Sequence, residues 1–216
     1  MSQGRKFKVM SEAEKHKKIN YLYDFNKWFS KLFGVQIYLM FGTLLGALRE
    51  KDFIANDNDI DLAYMSKYHK FEDVFEELLE INRVCNEMGL IRSFGEGKNS
   101  PRYCGHSHIF SKDKKCNFDV WTSWIGEDGL YYFYPIGLGM PRDIVLPLQL
   151  HELRHKKFYV HNKLQKMVEY LYSSDWKTPL NRKGGYYNKK RLEPLIHLYN
   201  KLKGTDYKDD ISKLDL

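Results

Sequence analysis

The chain has 216 residues, 43% of them hydrophobic, with 35 Lys and Arg against 28 Asp and Glu for a formal net charge of +7. That length suits one substantial core. No run approaches the roughly 20 apolar residues of a bilayer span, and the basic start lacks the apolar core of a secretion signal. A cytoplasmic protein is therefore expected, with at most peripheral contact at the inner face of a membrane. Basic and acidic residues are interspersed, so nucleic acid is not favoured as a partner, while nucleotide phosphates and anionic glycans are compatible with the charge. Cys85, Cys104 and Cys116 are an odd count, expected to stay reduced.

From Glu12 to Leu32 the apolar residues Ile19, Leu22, Phe25, Phe29 and Leu32 recur at spacings of three or four, predicting one buried helical face. Ser11 and Glu14 fit a capping box. Gly34 ends this helix, and Val35–Phe41, short and largely apolar, predicts a buried strand. Gly42-Thr43 is expected as a tight turn, Leu44–Glu50 as a short helix and Lys51–Asn58 as a polar loop. A second strand is predicted over Asp59–Met65, then a helix from Phe71 to about Met88.

Four β-like runs follow, Leu90–Phe94, Tyr103–Ser111, Cys116–Trp124 and Leu130–Tyr134, with Lys112–Lys115 as a hairpin turn between two of them. Beyond Pro135 the chain carries a basic stretch at His155-Lys156-Lys157, a helix near Asn162–Tyr172 and another near Lys189–Leu202. The predicted layout is a packing helix over 1–34, a catalytic core over 35–150 and a helical, basic part of the same domain over 151–216.

Asp59 and Asp61, alternating with Ile60 and Leu62, place two carboxylates on one side of a strand, an arrangement suited to a hard cation such as Mg²⁺ or Mn²⁺. Charged groups at the start of an apolar strand are costly without such a partner. Asp57 precedes them closely, and Asp119, flanked by Phe118 and Val120, lies on a run that could pair beside the first, supplying a third carboxylate. The amides and hydroxyl of Gly42-Thr43, where a strand opens into a helix, can hold phosphate oxygens.

Phe41–Arg49 (F-G-T-L-L-G-A-L-R) and Asp52–Asp61 (D-F-I-A-N-D-N-D-I-D) resemble the signature of the LicD/fukutin-type phosphotransferases. The similarity continues more faintly through Phe118–Trp121 and Tyr170–Trp176 to Pro179. It implies an α/β (α+β) fold, a nucleotidyltransferase-like mixed sheet flanked by helices. It implies transfer of a phospho-alcohol (phosphocholine, ribitol phosphate or glycerol phosphate) from a CDP-linked donor to a glycan or lipid-linked saccharide, releasing CMP. By the same resemblance Asp59, Asp61 and Asp119 would be catalytic and hold Mg²⁺ or Mn²⁺, two ions in all. Gly42, Thr43 and Arg49 would bind donor phosphates. Asn56 and Asn58 stand where the family usually has a Trp and the middle Asp of D-D-D-I-D.

Asp57, His106 and His108 are candidate substrate contacts. Cys104, His106, His108 and Cys116 include zinc-type ligands at a spacing uncommon for zinc; packed thiols and hairpin or substrate-facing histidines account for them more simply. Rival assignments are a nucleotidyltransferase that leaves a nucleoside monophosphate on its acceptor, a D-x-D glycosyltransferase using a nucleotide sugar, and a non-catalytic scaffold. The glycine turn ahead of the acidic pair argues against the second, and the three aspartates against the third.

Overall fold

The structure, a computed structural model, describes residues 9–57, 59–91, 106–133 and 139–178. It opens on α1 (Glu12–Phe33), where both halves of the capping box form: Glu14 N–H donates to Ser11 Oγ and Ser11 N–H to Glu14 Oε2. Gly34 closes it at φ 67°, a left-handed conformation that glycine adopts without penalty. Ile19, Leu22, Phe25 and Phe29 are buried as the periodicity requires, each worth about 1.5–3 kcal/mol. Leu32, expected on the same face, lies in the last turn beside that cap and is 45% exposed.

A mixed sheet follows. Strand β1 (Gln36–Leu39) pairs antiparallel with β2 (Asp61–Met65), and β2 pairs parallel with β4 (Asn117–Ile125). Helix α3 (Phe71–Glu87) lies within the connection that this parallel pair demands. Strand β3 (His106–Phe110) forms the expected hairpin with the first half of β4, and β5 (Leu130–Phe133) pairs with its end. The two-residue β6 (Met140–Pro141) completes the sheet at β5. Thus β4 is central, with β2 along one edge and β3 and then β5 along the other. Phe25 of α1 stacks on Phe118 at 3.9 Å, while on the opposite face Phe41 packs edge-on to Trp121 at 4.9 Å.

Two sequence expectations are corrected here, and the unassigned basic stretch around His155 takes a defined shape. Helix α2 runs Phe41–Arg49, so Gly42 and Thr43 form its first turn and not a turn ahead of it. Met40 remains extended while Phe41 takes φ 40°, and its ring is fixed by Trp121 and Phe133. Strand β2 starts at Asp61, leaving Asp59 in the loop before it. The stretch around His155 is a turn: β7 (Gln149–Leu153) and β8 (Lys156–Val160) form a hairpin through Arg154 and His155, both at positive φ. Arg154 pins the turn by donating to Asp52 Oδ2 at 2.6 Å and Glu12 Oε2 at 2.8 Å.

A four-residue α4 (Arg142–Val145) and the expected α5 (Leu164–Tyr172) complete the order. Of the Leu90–Phe94 run, Leu90 accepts from the Phe110 amide and Ile91 bridges Ile109, while residues 92–94 lie outside the described residues, as do Cys104, Tyr134 and the predicted helix near Lys189–Leu202. Among the described residues no helix is long and apolar enough to cross a membrane, and Cys85 and Cys116 are free thiols.

On the sheet face that also carries Trp121, Tyr38 shares hydrogen bonds with Ser123 Oγ at 2.6 Å and with the Tyr131 hydroxyl at 2.8 Å. His161 is 0% exposed and edge-on to both tyrosine rings. Neither of its ring nitrogens has a hydrogen-bond partner among the described residues. Burial pushes its pKa down to about 3.

Candidate functional site

The strand register builds the site. Asp61 of β2 pairs with Asp119 of β4, and Asp119 pairs with His108 of β3. Paired residues on adjacent strands point to the same face, so an Asp–Asp–His row crosses three strands. One step along, His106 pairs with Trp121 and stacks on it at 4.1 Å.

Asp57 and Asp59 approach Asp61 from the preceding loop. One carboxylate oxygen from each of the three lies within 4.8 Å of the others. Unit charges 4 Å apart repel by roughly 4 kcal/mol at the effective dielectric of a protein surface, so three of them together need either a proton or a cation. Without a cation, Asp57 is pushed up to about 8 by burial and then by its hydrogen bond with Asp59 and that residue's charge. Asp61 is raised well above the usual carboxylate range by burial and by Asp59, Asp57 and Asp119. All the donors are hard oxygens, which fits Mg²⁺ or Mn²⁺.

The acidic loop is tied to the first turn of α2. Gly42 N–H donates to Asp61 Oδ2 at 3.0 Å, and the backbone amide of Asp61 donates to Thr43 Oγ1 at 2.9 Å. The glycine is required by space: a Cβ there would lie 2.3 Å from Asp57 Oδ2 and 3.2 Å from Asp61 Oδ2. The partial positive charge of the helix N-terminus thereby faces the carboxylates. Arg49, expected beside the donor phosphates, is at the other end of α2, about 10 Å away by helical rise, and its guanidinium binds Glu50 Oε1 at 2.6 Å. The structure brings Gly42, Thr43, Asp57, Asp59, Asp61 and Asp119 together and leaves Arg49 apart. Asp57, expected as a substrate contact, belongs to the carboxylate group itself.

Sequence reasoning missed Lys18. Its side chain reaches from the buried face of α1 to donate to the Asp57 carbonyl at 2.8 Å, with its ammonium 4.7 Å from the Phe53 ring centre. Burial lowers its pKa against the pull of Asp57 and Asp59. The available signal was a lysine adjoining Ile19 and four residues before Leu22, inside an otherwise apolar stripe.

The two histidines converge as well. His108 Nδ1 is 2.6 Å from Asp119 Oδ1, and the Nε2 atoms of His106 and His108 are 3.0 Å apart. Burial and the neighbouring His108 push His106 down to about 4, so it is neutral near pH 7. The zinc-type grouping loses its described cysteine: His106, His108 and Asp119 cluster, whereas Cys116 sits at the hairpin end with its Sγ against the Asn117 carbonyl.

No curated protein matches the chain. Among solved structures it is similar to the antibiotic-resistance factor ANT(2'')-Ia, at 12% identity over 88% of this chain and 86% of that one, with a TM-score of 0.46. The LicD/FKTN/FKRP nucleotidyltransferase domain matches residues 34–163, more than half of the 216 and inclusive of α2, Asp57, Asp59, Asp61 and Asp119. The chain is accordingly a member of the LicD/FKTN/FKRP family, in its nucleotidyltransferase domain.

Proposed function

We propose that this chain transfers a phospho-alcohol from a CDP-linked donor to a hydroxyl of a glycan or lipid-linked saccharide, releasing CMP. The observation that carries the proposal is the placement of Asp59, Asp61 and Asp119 against the N-terminus of α2. Asp59, Asp61 and Asp119, with Asp57 beside them, would hold Mg²⁺ or Mn²⁺, which supplies positive charge to the donor diphosphate and the leaving phosphate. With the Gly42 amide given to Asp61, the other amides of the first turn of α2 receive donor phosphate oxygens across the space that the glycine leaves. Thr43 fixes the backbone of Asp61 and so the direction of its carboxylate. Lys18 holds the acidic loop through the Asp57 carbonyl.

The acceptor oxygen bonds to the phosphorus that carries the alcohol, the bond from that phosphorus to the CMP oxygen breaks, and the hydroxyl proton passes to a carboxylate at the site. The test is incubation with Mg²⁺ or Mn²⁺ and a panel of CDP-choline, CDP-ribitol and CDP-glycerol, followed by nucleotide analysis and acceptor mass. CMP release with a phospho-alcohol added to the acceptor supports the proposal, provided Asp61→Ala and Asp119→Ala abolish it. An acceptor that gains a nucleoside monophosphate, or full activity in both variants, overturns it.

A further inference from the structure

The arrangement of His106, His108 and Asp119 exceeds what a carboxylate ligand alone needs. Register places His108 directly opposite Asp119 and His106 opposite Trp121, so the two rings stand on the same sheet face as the acidic row. Their nitrogens make a continuous chain: Asp119 Oδ1 to His108 Nδ1 at 2.6 Å, then His108 Nε2 to His106 Nε2 at 3.0 Å.

The donors in this chain can be assigned from its two ends. A carboxylate only accepts, so His108 Nδ1 carries a hydrogen and donates to Asp119. In a neutral His108, Nε2 is then a bare acceptor, and the nitrogen facing it, His106 Nε2, must donate. The other ring of the pair agrees independently. His106 Nδ1 is buried without a hydrogen-bond partner among the described residues, so a hydrogen there would be an unmatched donor. Both ends assign one direction: His106 Nε2–H to His108, His108 Nδ1–H to Asp119. The His106 ring is held in turn by its stack on Trp121, which also packs edge-on against Phe41 at the start of α2.

We infer that His108 is a positioning residue for Asp119, anchoring one carboxylate oxygen so that the plane of the group, and with it the second oxygen, is set for a divalent cation, and that His106 fixes the tautomer of His108. This rests on the assignment of Asp119 to the cation site proposed above. A histidine bonded to a metal-binding carboxylate through one nitrogen and oriented through the other is a supporting shell whose removal typically lowers metal affinity 10- to 100-fold.

Two measurements test it. Long-range ¹H–¹⁵N NMR on the metal-free full chain should show His108 protonated on Nδ1 and His106 on Nε2; a His108 protonated on Nε2 alone overturns the inference. Mn²⁺ affinity, read by electron paramagnetic resonance, should fall about 10- to 100-fold in His108→Phe and recover substantially in His108→Asn, whose amide nitrogen replaces Nδ1 as donor to Asp119. Should His108→Phe fail to fold, His106→Phe keeps a ring against Trp121 while removing the Nε2 donor, and should weaken Mn²⁺ in the same direction. Wild-type protein that binds no Mn²⁺ overturns the cation assignment itself. Wild-type binding that Asp119→Ala weakens but both phenylalanine variants leave unchanged overturns only the positioning role.

Discussion

His161 offers a test of the fold that is independent of the site. Its ring is fully buried against Tyr38 and Tyr131, with its pKa near 3 in place of the usual 6.5. Above the ordinary value neither folded nor unfolded chain binds the proton. As pH falls below it the unfolded chain takes the proton while the buried ring refuses it, so stability is lost progressively as the pH drops toward 3. At about pH 5, some 1.5 units below the unfolded value, the loss from this residue is about 2 kcal/mol. Replacement by Phe removes the titration, keeps an aromatic ring between the tyrosines and sacrifices no described hydrogen bond. Urea denaturation in EDTA at about pH 7 and about pH 5 should show the wild type losing about 2 kcal/mol more than His161→Phe over that interval. Contributions from His106 and from the carboxylates cancel in the comparison. Equal losses in the two proteins would refute the reasoning.

Other expectations concern the acidic loop and the core. Gly42→Ala drives a methyl group into Asp57 and should cost about 1–3 kcal/mol of stability in calorimetry while weakening Mn²⁺ binding. Lys18→Met leaves the Asp57 carbonyl without its donor and removes a positive charge that acts on the carboxylates, so metal-free stability should fall by about 1–3 kcal/mol in urea titration. Saturating Mn²⁺ at about 100 times its dissociation constant should stabilise the wild type by about 2.7 kcal/mol, a gain that EDTA reverses and Asp61→Asn loses. Phe25→Ala opens the stack on Phe118 and should destabilise by about 3–5 kcal/mol, read from the denaturation midpoint.

Local chemistry made much of this architecture legible before any coordinates. The α1 capping box, its apolar stripe, the glycine at its end and the β3–β4 hairpin all follow from interactions between residues close in the chain. The closeness of Asp59 and Asp61 was legible for the same reason, although Asp59 reaches the cluster from a loop. What sequence could not supply is register. Nothing local states that Asp61 lies opposite Asp119, or that Lys18 reaches a carbonyl 39 residues away. The β7–β8 hairpin was hidden because its first strand is mostly polar and its turn uses Arg154 and His155 in left-handed conformations without glycine. Helix α2 begins earlier than expected because packing on Trp121 holds Phe41 where an isolated chain seldom goes.

The central position of β4 also bears on how the protein folds. Asp61 and Asp119 are adjacent only through the parallel β2–β4 ladder, which must first close the intervening chain, including α3. Closing so long a loop is entropically costly and makes such pairing slow compared with the local steps that form α1 or the β3–β4 hairpin. The repulsion between Asp61 and Asp119 therefore enters with a late, long-range event, after local structure has formed. Substitutions that weaken α1 or the β2–β4 ladder should accordingly slow refolding more than they hasten unfolding, because both are in place once that long-range step is crossed.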